Sequence, residues 1–396
     1  MRGTVSLVLV ASLTACGAET VSLSSSDSSV DAVSDAVTDA VTDARVDAPQ
    51  GPYVTEIVSG LAWQYALMSD GTVRVRGDSV YGTLGIGGTH TPAPVTIPGL
   101  TNIAEVVTEL VGSTCARSAS GTVWCWGYDY YATLGVGLAG DETCGDATHS
   151  APCRLRPTRV PGLDDAVSIS MGLSVTCAAR RDGTVWCWGD HDLWALRGRT
   201  EYPTRVEGVS DVVKLWNVGG GWLLLHRDGH YSGAGLWEQI TIPTGAVIDA
   251  SDLGYHVCYR LGDGTARCVG QNPNGELGNG SSQWPARVTT PVDPGLSRVR
   301  FISSGGYSTC AVTADGLVRC WGDGAYGGLG FTPTETCVGL NHPTDCATRP
   351  GPPVAITDVE RVFVANWSAC ALRRDHQVWC WGSFAGAPPG LTRIDW

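Results

Sequence analysis

Lysine is almost missing from this chain: Lys214 is the single one among 26 basic residues. Against 39 acids these leave a formal charge of −13, and no stretch gathers arginine into a stripe. A nucleic-acid partner is therefore not expected. Past the first 16 residues no apolar run is long enough to cross a bilayer. No C-x-x-C occurs and no histidine is spaced to complete a tetrahedral set, which argues against zinc. G-x-S-x-G, the phosphate loop and the calcium loop are missing too, so no catalytic residue, metal or cofactor is expected. The eight histidines lie scattered, and His191, between Asp190 and Asp192, reads as a polar loop residue.

What is plentiful is glycine (52) and tryptophan (15), the profile of short strands joined by tight turns. One phrase organises them: Cys177-Ala-Ala-Arg-Arg-Asp-Gly-Thr-Val-Trp-Cys187-Trp-Gly. Copies run from Cys115 to Cys125, Cys258 to Cys268, Cys310 to Cys320 and Cys370 to Cys380. Two more carry Tyr65 and Val75, or Leu223 and Gly233, in the cysteine slots. Asp182-Gly183 is a turn signal, with glycine in the left-handed position of a three-residue hairpin loop. If residues 181–183 form that loop, Cys177 falls opposite Cys187, within reach of a disulfide. The closing glycines (Gly77, Gly127, Gly189, Gly235, Gly270, Gly322, Gly382) recur about every 51 residues, the signature of a repeat architecture.

Ahead of the repeats lie two segments of different character. Residues 1–16 read as a targeting segment, with Arg2 before an apolar core from Val5 to Leu13. Its end, Leu13-Thr14-Ala15-Cys16, resembles a bacterial lipobox, which implies lipidation of Cys16 and anchoring to the membrane through lipid alone. Residues 17–52, with aspartate at every fourth position from Asp31 to Asp47, read as a disordered acidic tether. The repeats then fill 53–396, with expected boundaries near 54–100, 101–164, 165–210, 211–245, 246–297, 298–357 and 358–396.

Four cysteines remain, as Cys144/Cys153 and Cys337/Cys346, inside the two longest repeats. They read as staples closing matched loop insertions. With Cys16 set aside, all fourteen others fall into local pairs, as expected of an exported protein in an oxidising compartment. The expected location is the outer membrane, on its periplasmic face or at the cell surface.

Each unit shows four strand-like stretches, the last opening on proline in Pro94-Val-Thr-Ile, Pro157-Thr-Arg-Val, Pro203-Thr-Arg-Val and Pro285-Ala-Arg-Val. Proline suits an outer edge strand. Thr184-Val-Trp-Cys-Trp188 is apolar at nearly every position, so both its faces need cover, as in sheets packed radially around a ring. The expected fold is all-β, a seven-bladed propeller of four-stranded blades. G-x-x-x-x-C-A-x-x-x-D-G-x-V-x-C-W-G followed by x-N-x-x-G-x-L-G resembles the repeat of the regulator of chromosome condensation family, itself a seven-bladed propeller. Gly270-Gln-Asn-Pro-Asn-Gly-Glu-Leu-Gly278 carries the tail of that motif best. The resemblance implies a structural hydrogen bond for His256, whereas the family's exchange activity on a small GTPase is not carried over to an exported protein. The fourth unit departs most, having no cysteine pair, no tryptophan before Gly235 and no G-x-L-G.

Surface residues remain. Tyr81, Tyr131 and Tyr326 occupy equivalent slots after the closing glycine, with Tyr128, Tyr130 and Trp194 nearby. Sharing one rim, they would form an aromatic collar of the kind that anchors interfaces. The expected function is a binding scaffold at the cell envelope without catalysis, for an extracytoplasmic protein or glycan. Two alternatives stay open: an inhibitor of a cell-wall enzyme or β-lactamase, to whose propeller the repeat is similar, and a lyase or glycan-active propeller with histidine and carboxylates in its channel.

Overall fold

The hairpin phrase folds as its turn chemistry dictates. In the third unit the Arg180 amide donates to the Thr184 carbonyl (2.9 Å), closing a loop of residues 181–183 with Gly183 at φ +85°. Counting outward, Cys177 lies opposite Cys187, and the two are joined in a disulfide with their Cα atoms 4.1 Å apart. The same bond joins Cys115–Cys125, Cys258–Cys268, Cys310–Cys320 and Cys370–Cys380. Tyr65 faces Val75 and Leu223 faces Gly233 in the two units without cysteines.

The computed structural model describes residues 51–79, 81–137, 142–145, 150–191, 198–235, 237–248, 254–339, 342–383 and 390–396. The targeting segment, Cys16 and nearly all of the tether lie outside the described residues. Within them stand seven antiparallel sheets, the blades of the propeller. In blade three the strands follow in order: an inner strand Ala166–Met171, then Val175–Arg180 and Val185–His191, then an outer strand Gly198–Arg205. No helix among the described residues is long and apolar enough to cross a membrane.

Three blades depart from four strands. The stapled insertions of blades two and six are strands, not loops. Thr143–Gly145 pairs with Ser150–Arg159, and Glu335–Cys337 with Thr344–Ala347, giving sheets of five strands. Cys144–Cys153 and Cys337–Cys346 tie these added strands to their neighbours. Blade four has three strands among the described residues, Val212–Val218, Gly221–His226 and Tyr231–Gly235.

Units one and four fill the cysteine slots with other groups. A Cβ on Gly233 would lie 2.1 Å from the Trp237 carbonyl oxygen, so no cysteine fits there. In unit one the Tyr65 hydroxyl uses the slot, bonding to the Thr83 carbonyl and to Thr114 Oγ1 of the next blade.

Blades are linked to one another by repeating bonds. The hairpin-tip glycine carbonyl accepts the amide that opens the next inner strand, as from Val212 to Gly183 (3.1 Å) and from Val299 to Gly264 (2.8 Å). Inner-strand edges are capped as well: Ile169 N donates to Glu105 Oε2 (3.1 Å), Asn217 N to Ser170 Oγ (2.7 Å) and Val364 N to Ser303 Oγ (3.1 Å). Blade seven meets blade one through apolar packing of Leu372, Val378 and Ile394 on Val54, Ile57 and Met68. There Arg361 donates to the Thr55 carbonyl (3.0 Å). Each sheet draws its strands from one stretch of chain, so the ring closes by side chains and not by exchange of a strand.

Candidate binding rim

The loops that follow the closing glycines are shaped by their own polar side chains. The Asp129 carboxylate accepts the Leu134 amide (3.1 Å), Asn272 Oδ1 accepts that of Leu277 (3.0 Å), and Ser79 Oγ that of Thr83 (2.8 Å). In six of the seven units the residue after the closing glycine also donates back to the turn between the first two strands, as Tyr128 N does to the Gly112 carbonyl (3.1 Å) and Asp323 N to that of Tyr307 (2.9 Å). Both kinds of loop therefore share one rim.

On that rim four of the expected tyrosines meet. Tyr81 and Tyr128 have ring centroids 5.0 Å apart, Tyr128 and Tyr130 6.2 Å, Tyr128 and Tyr131 6.4 Å, and Tyr130 and Tyr131 5.1 Å. Tyr130 is 53% exposed and the other three are half-buried, so the patch offers ring faces and hydroxyls together. Burial, with Tyr131, Tyr81, Tyr130 and Glu109 around it, raises the Tyr128 phenol above its ordinary value. Beneath the patch, Glu109 is buried and accepts the amides of Val111 (2.5 Å) and Ser113 (2.6 Å). Burial also pushes Asp129 up to about 6.

Tyr326 stands apart from this cluster. It is 62% exposed and packs on Trp367, with centroids 5.1 Å apart. Trp194 lies outside the described residues. Sequence reading missed Trp367, Tyr255 and Tyr307, which precede the second strands of blades seven, five and six. An aromatic one residue before each of those strands was the available signal.

The central channel is a cavity of about 150 Å³ bounded by inner strands of six blades. Glu56, Glu105, Lys214 and Arg361 line it beside Trp216, Phe301 and Phe363. Each of these charges follows a β-bulge at the start of its strand, which re-aims the side chain. Glu105 pairs with Arg117 Nε (2.8 Å), Arg361 lies 5.0 Å from both Phe301 and Phe363, and the Lys214 ammonium sits 5.3 Å over Trp216. No histidine is among these lining residues. His256 is fully buried and bonds Thr309 Oγ1 (2.7 Å), and burial lowers it to about 3. Among the described residues no group of histidine, cysteine and acids is arranged to hold a metal.

The family model for the regulator of chromosome condensation (RCC1) repeat matches residues 166–192 and 299–327, within blades three and six. The chain is 30% identical over 170 residues to the Homo sapiens E3 ubiquitin-protein ligase HERC2, which covers 40% of this chain and 3% of that protein. It is 27% identical over 294 residues to the mitochondrial RCC1 domain-containing protein RUG3 of Arabidopsis thaliana, covering 70% of this chain and 54% of that one. The chain thus spans about half of RUG3 and a small part of HERC2. Among solved structures it superposes on Prp20p, the Saccharomyces cerevisiae RCC1, with TM-score 0.65 and 17% identity over 87% of each chain. Prp20p itself has binding properties toward Gsp1p and histones. The chain thus carries RCC1 repeats at residues 166–192 and 299–327, and it folds as a seven-bladed β-propeller similar to that of Prp20p.

Proposed function

We propose that the protein is a lipid-anchored binding scaffold of the bacterial cell envelope, without catalysis of its own, whose partner-facing patch is the tyrosine cluster of blades one and two. The mutual packing of Tyr81, Tyr128, Tyr130 and Tyr131 beside an exposed ring carries this reading. Tyrosine supplies large contact area with few rotors and a hydroxyl for hydrogen bonding, which suits a protein or a glycan. Fourteen cysteines joined in seven disulfides support an oxidising, extracytoplasmic setting. Anchoring is assigned to Cys16, whose acyl chains would hold the ring at the outer membrane through the acidic tether.

The test is affinity capture from intact envelopes with wild type and a Tyr81/Tyr130/Tyr131→Ala variant that retains its thermal melt. Loss of specific partners from the variant is expected, and identical partner sets would remove the patch from the proposal. Separately, Cys16→Ser should move the protein from the membrane to the soluble fraction. Unchanged membrane retention would overturn the anchor.

A further inference from the structure

Blade four ends where the other six blades continue. Its third strand, Tyr231–Gly235, has no strand on its outer side among the described residues. What belongs there can be read from its siblings. In blade three Thr204 lies opposite Cys187 and Arg205 opposite Trp186; in blade two Thr158 lies opposite Cys125 and Arg159 opposite Trp124. Blade seven repeats the arrangement with Thr392 on Cys380 and Arg393 on Trp379. The equivalent third-strand positions in blade four are Gly233 and Ser232, which remove both bulky side chains.

The result is an open groove of about 620 Å³. Leu224, Ser232 and Gly233 line it, with residues 208–211 and the hairpin tip around Asp228 and His230. Of the described residues that follow the strand, Trp237, Ile240 and Ile242 pack with Val257 and Tyr259 of blade five and do not line the groove. Leu223 and Gly233 form the same close pair that five other units bridge by disulfide. In that register the amide and carbonyl of Gly233 point away from the second strand, toward the missing one.

Charges of both signs line the groove: Asp211 and Asp228 stand beside Arg227, and His230 Nδ1 lies 2.5 Å from the Asp228 carboxylate. Asp228 is the hairpin-tip aspartate, equivalent to Asp182 of blade three. The Thr184 amide and hydroxyl hold the Asp182 carboxyl low, and Arg180 and the outer-strand Arg205 add to this. Asp211, exposed, lines the groove beside Asp228.

We propose that the outer edge of blade four is a docking site for an extended segment of a partner protein. That segment adds as an antiparallel fourth strand, with a small or hydroxyl residue opposite Gly233 and an arginine opposite Ser232. Backbone pairing supplies affinity and the groove supplies selectivity. This site is separate from the tyrosine rim, so its failure and that of the rim are read independently.

The probe is a fluorescein-labelled octapeptide with the sequence of residues 200–207, Thr-Glu-Tyr-Pro-Thr-Arg-Val-Glu, followed by anisotropy against the full chain. Saturable binding with Kd below about 1 mM is expected. Ser232→Trp installs the residue that faces Arg159, Arg205 and Arg393 in blades two, three and seven, and should bind the peptide at least as tightly as wild type. Ser232→Arg, the residue type of blades one, five and six, should weaken binding about tenfold by repulsion, as should arginine-to-aspartate in the peptide. Sibling blades accommodate both replacements, and an unchanged thermal melt confirms the fold of each variant. No saturation at about 1 mM, or equal binding by both variants, overturns the proposal. A dimer that Ser232→Arg converts to monomer in sedimentation also overturns it, by giving the edge to a second copy.

Discussion

Trp188 Nε1 donates to the carbonyl of Thr133 at 2.7 Å, across the boundary between blades two and three. Thr176 Oγ1 reaches the same oxygen at 2.8 Å. Thr133 begins a Thr-Leu-Gly turn in which Leu134 is fully buried. Gly135 follows at φ +69°, where a Cβ would lie 2.6 Å from the indole nitrogen. The arrangement recurs with Trp126 on Thr83 (2.7 Å), Trp321 on Glu276 (2.7 Å) and Trp381 on Gly328 (2.9 Å). Wherever a blade ends its loop in Leu-Gly, the following blade carries this tryptophan; units one, four and five, which follow loops without Leu-Gly, have Arg76, Ala234 and Val269 instead. Each tail thus makes the socket for its neighbour.

Trp188→Phe replaces the fully buried indole by a single ring, so it loses the donor to Thr133 and leaves a void, and a loss of about 2–4 kcal/mol is expected. Gly135→Ala combines a left-handed backbone with a clash against the indole, and should cost about 2 kcal/mol or more. Urea unfolding measures both. Either variant as stable as wild type would contradict the socket.

The disulfide ladder makes a second measurable contribution. Cys177→Ser/Cys187→Ser opens a bond between residues 10 apart in sequence, and its loss is expected to cost roughly 2–3 kcal/mol through the freed unfolded chain. Denaturant midpoints give the difference. A double variant as stable as wild type would mean the opposed strands hold register without sulfur, as those of Tyr65 and Val75 do.

Those local features were legible because they depend on neighbours in sequence. The turn at Asp182-Gly183, the facing cysteines and the sevenfold recurrence all follow from short-range counting. What counting could not reach lies between blades. The close approach of Trp237 that leaves no room for a Cβ on Gly233 depends on how the chain turns after the third strand, and the closure of blade seven on blade one joins the two ends of the described ring. The insertions looked like loops because Thr143–Gly145 and Glu335–Cys337 are too short to announce themselves as strands. Of the rim, the slots of Tyr81 and Tyr131 were visible, but their contacts through Tyr128 and the separate pairing of Tyr326 with Trp367 needed the ring.

Stability should fall on both sides of mildly acidic pH. Burial pushes the Glu276 carboxyl up to about 8 from an ordinary 4.5, so the folded protein keeps a proton that the unfolded chain releases. Stability then declines as pH rises from 4.5 to 8, and Asp129, pushed up to about 6, adds the same sign from 3.8 upward. His256 opposes them: lowered to about 3 from 6.5, it leaves the unfolded chain to take up the proton, so stability declines as pH falls through that window. Above 6.5 the Glu276 contribution stands without that of His256. Glu276→Gln preserves an acceptor for Asn274, whose amide and side chain donate to the carboxyl at 2.9 Å, and sheds the charge. Thermal midpoints between pH 6.5 and 8 should fall in wild type and flatten in the variant. An equal slope in both would place the proton elsewhere.

The single lysine gives a probe of the channel. Lys214 is exposed beside the buried Trp216 on the inner strand of blade four, and its ammonium lies over that indole at 5.3 Å. An amine-reactive ester applied to the folded protein should therefore modify one side chain, Lys214, at a rate set by access to the channel. Cation–π contact with Trp216 is worth about 0.5–1 kcal/mol at such a site, too little to hide the amine from reagent. Mass spectrometry of peptides before and after denaturation reads the outcome. Labelling that requires unfolding would show the channel closed to small molecules, and would direct any ligand search to the rims alone.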